Sequence, residues 1–411
     1  MFISQHTQAT YYSPSGPFDY ALLRSGLQPD KSTAPPSPVP PDTESSPVLA
    51  VVGATGSGKS ALADALALTL GGEVISADSM QVYRGMDIGT AKLVPSERSV
   101  PYHCVDLVEP DVPFTAALYQ RAARAAVEDI RSHGNIPIMC GGTGLYVRAA
   151  LDDFVFDEGR EHCSEGPLSH IVSPSLPDPL PHSAAPPYLD PLPHSASSPS
   201  PTPSPGLPLR EQLTAQAEEM GAEAFHALLV EADPASAALI HPNNVRRVIR
   251  AFELLAEETS YAAQQAGFSD FKAFYPTFYL GIEVAPAVLY EVINKRVDAL
   301  MAAGLLNEVR ELVAAGFESA PGFSQAIGYK ELLGVLKGAE QLEGAVAQIK
   351  QATRRYAKRQ RTWFKRDARI HWIDATDLHE KRLAGTLSAS GFTQELHDRA
   401  IELLRLWETF S

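Results

Sequence analysis

Short unbroken apolar runs alternate with stretches of helical spacing in the first third of the chain. Val48–Val52 is one such run, followed by a glycine loop and a helical stretch at Ala61–Leu70. Val74–Ser76 predicts a second strand, and an amphipathic helix over Phe114–His133 precedes a third run at Ile136–Cys140. Apolar strands that alternate with helices predict a parallel sheet wrapped by helices. From Leu209 to Glu258 and from Ala287 to Leu336 the apolar positions recur at helical spacing, with many Ala, Leu and Glu, so the second half is expected to be mainly α.

Two proline-rich tracts interrupt this pattern. Of 33 prolines, 9 lie in the first 47 residues and 14 between Pro167 and Pro208. Proline removes a backbone donor and fixes φ, so density of this order cannot sustain helix or sheet, and both tracts read as disordered. The second holds a direct repeat, Asp178–Ala184 and Asp190–Ala196, and reads as an insertion in a surface loop. Its His182 and His194 read as solvated side chains. The expected organisation is an extension over 1–46, a core over 47–155 and 275–375, the proline-rich insertion at 156–208, a helical insertion domain at 209–274, and a partly helical tail at 376–411.

At 411 residues and 45% hydrophobic content the chain can bury more than one core. No apolar run approaches the roughly 20 residues of a membrane span, and the N-terminus lacks a signal-like apolar region; a cytoplasmic protein without membrane contact is expected, and a monomer. Cys104, Cys140 and Cys163 are odd in number and contain no CxxC pair, so ordinary thiols are expected. The net charge of -15 argues against a polyanionic partner, but its distribution is uneven. Between Lys350 and Arg366 there are eight basic residues and no acidic one, interleaved with Tyr356, Trp363 and Phe364. Such a run is either a solvated helix face or a surface that holds phosphates and stacks bases.

Gly53-Ala54-Thr55-Gly56-Ser57-Gly58-Lys59-Ser60 matches G-x-x-x-x-G-K-[ST] between a predicted strand and a predicted helix. Its amides and the helix N-terminus suit phosphate oxygens, Lys59 adds a full charge, and the Ser60 hydroxyl is a candidate magnesium ligand. The loop predicts a bound di- or triphosphate and leaves the chemistry open. Asp78 follows the second strand, where open α/β sheets place their ligands. A carboxylate there can take a proton from an amine or hold magnesium through water, and residue type alone favours neither.

Six blocks together resemble the tRNA dimethylallyltransferase family: the glycine loop, Ser76–Lys92, Gly141–Tyr146, His241–Asn244, Gln325–Lys330 and Lys358–Trp363. They occur in the family's order and span about Val48 to Asp374. The resemblance implies a P-loop NTPase-like α/β fold, with a parallel sheet flanked by helices, a helical insertion domain and a basic C-terminal helix. It implies transfer of a dimethylallyl group from its diphosphate to the exocyclic amine of an adenine beside the anticodon of tRNA, with magnesium. Asp78 would be the general base, and Lys59 and Arg296 would stabilise the leaving group; Arg296 equally fits a solvated helix face. Implied contacts to the anticodon stem-loop are Asp78, Ser79, Met80, Gln81, Thr143, Arg210, Arg246, Arg247, Arg250, Gln325, Gly328, Tyr329, Lys330, Lys358, Arg359, Arg361 and Trp363. Gln81 is the candidate reader of the base edge. The Cys/His zinc finger of eukaryotic members has no counterpart here, so the chain looks like the bacterial type.

Three rivals remain. A small-metabolite P-loop kinase leaves the basic run without a purpose, an adenylate isopentenyltransferase needs no long basic surface, and a nucleotide-dependent binding protein needs no Asp78.

Overall fold

The computed structural model describes residues 47–154, 209–269 and 271–408. The proline-rich extension and insertion, the repeat with His182 and His194, and Cys163 lie outside these residues. The described chain forms two compact units: residues 47–154 with 272–408, and residues up to Phe271 of the middle segment.

The first unit is organised by a six-stranded, wholly parallel sheet. Its strands are β1 (Val48–Gly53), β2 (Gly72–Ser76), β3 (Tyr102–His103), β4 (Ile136–Gly141), β5 (Thr277–Glu283) and β6 (Ile370–Asp374), in spatial order β3-β2-β4-β1-β5-β6. β1 reads as a continuous apolar run because both its faces are covered. Val48, Ala50 and Val52 join one core with Ile75, Met139 and Tyr279, while Leu49 and Val51 join the other with Ile138, Phe278 and Leu280. Helices α1 (Lys59–Leu70), α2 (Ala116–Ser132) and α3 (Gly144–Leu151) follow β1, β3 and β4.

The second unit holds α4 (Leu209–Met220), α5 (Ala222–Ala232), α6 (Pro234–Ala237), α7 (Val245–Ala256) and α8 (Tyr261–Ser269). It has its own core of Leu213, Phe225, Leu229, Val248 and Phe252. The stretch expected to be helical throughout is broken at Asp233-Pro234, where the Asp233 carboxylate accepts from the Ser236 amide at 3.0 Å and caps the next turn. The chain re-enters the first unit at Lys272, ahead of the boundary expected after Phe274. The cause is backbone pairing: Asp153 N–H donates to Lys272 O at 2.8 Å, and Phe274 N–H donates to Leu151 O at 2.8 Å.

After β5 come α9 (Pro286–Ala302), α10 (Leu305–Ala314), α11 (Pro321–Gln325), α12 (Tyr329–Leu336) and the long α13 (Leu342–Phe364). The segment expected as a tail forms α14 (Thr376–Leu383) and α15 (Ala389–Glu408). It is no tail: Leu378, Phe392, Leu396 and Ala400 are buried against the face of the sheet that α1 also covers. Phe392, Leu396 and Ala400 recur every four residues, a helical apolar stripe that needs a partner.

The loop over Asp87–Lys92 is fixed from two sides. One Glu308 carboxylate accepts from the amides of Asp87, Ile88 and Gly89 at 2.9, 2.6 and 3.0 Å, and from the Tyr329 hydroxyl at 2.6 Å. Lys92, its side chain 3% exposed, donates to Tyr83 O, Asp87 and Asp106. Hydrogen bonds to a charged acceptor are among the stronger ones, and three amides would lose theirs together. Glu308→Ala should therefore cost about 2–4 kcal/mol in urea unfolding, and Glu308→Gln clearly less. Equal midpoints for Glu308→Ala and the wild type would show that the loop does not depend on Glu308.

Candidate active site

Strands β1, β2 and β4 end side by side, and their C-terminal loops open on one cleft of about 630 Å³. The glycine loop leaves β1 and turns through Gly56 at φ +85° and Gly58 at φ +97°, conformations that suit glycine, to deliver Lys59 as the first residue of α1. Thr55, Lys59 and Ser60 line the cleft with Asp78 from the loop after β2, Cys140 and Gly141 from β4, and Val292, Lys295 and Arg296 from α9. Those last three lie at i, i+3 and i+4 and share a helix face, while Ile293 and Val297 are buried. The partly buried Arg296 therefore faces the cleft and not open solvent.

Electrostatics in the cleft is unbalanced. Burial lowers the pKa of Lys59 from the ordinary lysine value; Arg296 acts in the same direction, while Cys140 and Asp78 oppose it. Burial likewise lowers the pKa of Arg296, again opposed by Asp78. Two partly desolvated cations thus share one carboxylate, an arrangement that an anion would relieve. Burial pushes the Cys140 thiol up to about 11, so it stays protonated at neutral pH, and Ser60 is hydrogen-bonded to it. Cys104 is pushed up to about 12 by burial.

Asp78 is itself oriented. Its Oδ1 accepts from the Met80 amide at 2.9 Å, and among the described residues no hydrogen bond occupies Oδ2. Ser79 N–H donates to Thr143 Oγ1 at 3.1 Å, which ties the loop after β2 to the turn after β4. In Gly141-Gly142-Thr143-Gly144 every glycine meets a neighbour that leaves no room for a Cβ. The nearest atoms would lie 2.1 Å away at Ala77 O, 2.2 Å at Gln360 Nε2 and 2.1 Å at the Trp363 indole. Gln360, on α13, is 4% exposed: its Oε1 accepts from Thr55 N–H at 2.8 Å and its Nε2 donates to Gly142 O at 2.9 Å. One side-chain amide therefore spaces the glycine loop from the turn after β4. Tyr356, one turn earlier on the same helix, is hydrogen-bonded to Thr143 and Gln360; burial, then Asp78, raise its pKa.

Several residues expected at an RNA surface have other environments. Tyr329 is 0% exposed, with its hydroxyl on Glu308 and its ring under Gly89, and Gly328 is also buried. Neither can touch an external ligand, because the helix start at Gly328 faces the core. Gln325 and Lys330 of the same block are exposed. Gln81 lines the cleft, but its Oε1 already accepts from Ser76 and its Nε2 donates to Thr90 O. Met80 packs partly buried against the core. Phe364 is buried and Tyr356 points inward, which leaves Trp363 as the exposed aromatic of the basic run.

The basic run itself divides by helix face. Lys350 pairs with Asp298, Arg354 donates to Asn294, and Arg361 and Lys365 both pair with Glu283. Arg355, Lys358, Arg359 and Arg366 are exposed and make no ion pair among the described residues. In the second unit, Arg210 binds Glu253 through two bonds of 2.7 and 2.9 Å, and Arg250 bonds Glu253 and Glu257. Arg246 and Arg247 there are exposed.

Residues 46–100 match the isopentenyl transferase family model, and residues 81–173 and 187–367 match that of the IPP transferases. The tRNA dimethylallyltransferase of Geobacillus thermodenitrificans is 41% identical over 332 residues, covering 80% of this chain and 91% of that protein. The chain belongs to the IPP transferase family. The tRNA dimethylallyltransferase of Bacillus subtilis is 38% identical over 331 residues, with 80% and 91% covered. The crystal structure of the tRNA isopentenylpyrophosphate transferase of Bacillus halodurans superposes with a TM-score of 0.55 at 33% identity, covering 89% of this chain and 98% of that one. A eukaryotic dimethylallyltransferase captured acting on tRNA gives 0.63 at 27% identity, with 82% and 76% covered.

Gln360, Tyr356, His379, Arg382 and Phe392 line or brace the cleft and were not singled out as site residues by sequence reasoning. Tyr356 was read only as one of the aromatics of the basic run, and Gln360 stood out as the one uncharged polar residue inside Lys358–Arg361. Gln360→Leu should leave the Thr55 N–H and Gly142 O unpaired in a buried place and cost about 2–4 kcal/mol in thermal unfolding. It should also weaken binding of inorganic diphosphate, because the glycine loop loses its spacer. Unaltered stability would mean that the two loops hold their separation without Gln360.

Proposed function

We propose that this IPP transferase moves a dimethylallyl group from dimethylallyl diphosphate to the exocyclic amine of the adenine 3' of the anticodon in tRNA, and that it does so in the cytoplasm as a monomer. The observation that carries the reading is the single cleft in which the glycine loop, Lys59 and Arg296 share space with the carboxylate of Asp78. A kinase site also accommodates phosphates. The exposed cationic face of α13 and the similarity to tRNA dimethylallyltransferases favour transfer to a nucleic acid.

In this reading the loop amides, Lys59 and Arg296 hold the diphosphate. The amine nitrogen attacks the allylic carbon, the carbon–oxygen bond to the diphosphate breaks, and Oδ2 of Asp78 takes the proton that the nitrogen sheds. Holding Oδ1 on the Met80 amide fixes the direction of that carboxylate. The two cations stabilise the charge on the departing diphosphate, where a preorganised site is worth most. The protein oxygen donor for magnesium is the Ser60 hydroxyl, and no group of three His, Cys, Asp or Glu side chains gathers among the described residues. That donor fits an ion carried in on the diphosphate, since magnesium keeps several waters and binds through one or two protein oxygens plus phosphates. When bound it would offset charge on the leaving group.

For the tRNA, the favoured contacts are Arg355, Lys358, Arg359, Arg366 and Trp363 on α13, with Thr143 and Ser79 at the mouth of the cleft and Arg246 and Arg247 on the second unit. Arg210, Arg250 and Arg361 would have to leave or share carboxylate partners to bind phosphate.

Asp78→Asn keeps shape but cannot take a proton, so turnover should fall by about 10²–10⁴ while both substrates still bind. Lys59→Ala should weaken donor binding along with turnover. Normal turnover of Asp78→Asn with a raised magnesium requirement would make the carboxylate a metal-site group.

Affinity for tRNA should fall steeply with salt despite the acidic whole. Converting Arg355, Lys358 and Arg359 together to Ala should reduce the slope of log K against log salt by about 2–3, at about 0.7–0.9 per phosphate contact, with dimethylallyl diphosphate binding intact. An unchanged slope would reduce this face to a solvated one.

A further inference from the structure

The family match ends at residue 367, and α14 and α15 lie beyond it. Yet this hairpin forms one wall of the cleft, supplying His379, Arg382, Leu383, Ala389, Phe392 and Thr393. It is fastened to the glycine loop at two points. His379, 5% exposed, donates from Nε2 to Ser57 O at 3.1 Å, and the 3% exposed Phe392 ring packs so closely on Gly58 that a Cβ there would lie 2.8 Å from it. The two rings also touch each other, with centroids 4.6 Å apart.

Arg382 stands one turn after His379 on the same face of α14. It is exposed, it lines the cleft, and its guanidinium lies 5.4 Å from the centre of the Phe392 ring. Among the described residues it has no carboxylate partner. Its neighbours differ: Lys381 pairs with Asp377 and Glu395, and Arg399 takes Asp377 as well. Local carboxylates are thus occupied by the other cations of the hairpin, and Arg382 is steadied by an aromatic face that leaves its N–H fork free. Counting Lys59, Lys295, Arg296 and Arg382 against Asp78, the cleft has four cations to one carboxylate.

We propose that Arg382 binds the terminal phosphate of the donor diphosphate, so that the C-terminal hairpin completes the donor site. This rests on reading the cleft as the donor diphosphate site. An Arg fork matches a terminal phosphate oxygen pair in a way that a point charge does not.

The test is calorimetric titration of inorganic diphosphate with magnesium into the full chain, alongside kinetics with dimethylallyl diphosphate and tRNA at fixed ionic strength. Arg382→Ala should weaken diphosphate binding and raise the donor KM by about tenfold, with the tRNA KM and the unfolding temperature unchanged. Lys381→Ala, the adjacent charge in surface ion pairs, should change neither. Wild-type affinity in Arg382→Ala, or an equal loss in Lys381→Ala, would overturn the proposal while leaving the donor-site reading intact. Failure of the wild type to bind diphosphate and to transfer would remove that reading, and the role of Arg382 with it.

Discussion

The site depends on keeping two loops, one after β1 and one after β4, at a fixed small separation. Backbone alone cannot do this, because parallel neighbours diverge once their ladder ends at Val52 and Gly141. The Gln360 amide spans the gap by presenting an acceptor to Thr55 N–H and, from the same side chain, a donor to Gly142 O. Its position on α13 is itself set by glycines that let the helix come within contact of the turn. Sheet, glycine loop and basic helix are thereby one mechanical assembly, and the helix that displays cations outward also sets the phosphate site inward.

That double duty explains how an acidic chain keeps a basic surface. Lys350 pairs with Asp298, and Arg361 and Lys365 share Glu283, so these three cations tie α13 to its neighbours. The outward row has no such partners among the described residues, and its field is undiminished by local carboxylates. Net charge sums over the whole surface, whereas a polyanion meets the field of one face.

Much of this was legible in the sequence. The glycine loop announced its own geometry because backbone requirements are written in glycine positions, and β1 was plain because a strand covered on both faces has no polar positions to confuse it. Tyr329 was misplaced for the opposite reason. The resemblance put it among the tRNA contacts, and only the fold supplies Glu308 for its hydroxyl. Arg361 looked the same as Arg359 because ion pairing with Glu283 joins residues far apart in sequence. The hairpin of α14 and α15 was read as a tail since its apolar stripe has meaning only once α1 and the sheet are there to receive it.

The place of β1 between β4 and β5 has a consequence for how the protein is made. Val48 pairs with Thr277 and Leu49 with Phe278, and the whole second unit is encoded between these partners. During vectorial synthesis β1 can join β4 early, but its other edge stays bare until the ribosome has released the strand that seals it. For that interval the nascent chain carries a hydrophobic strand edge at the centre of its future sheet, while the intervening helices, which have a core of their own, are free to fold. The most buried strand of the finished protein is thus the one whose pairing is completed late.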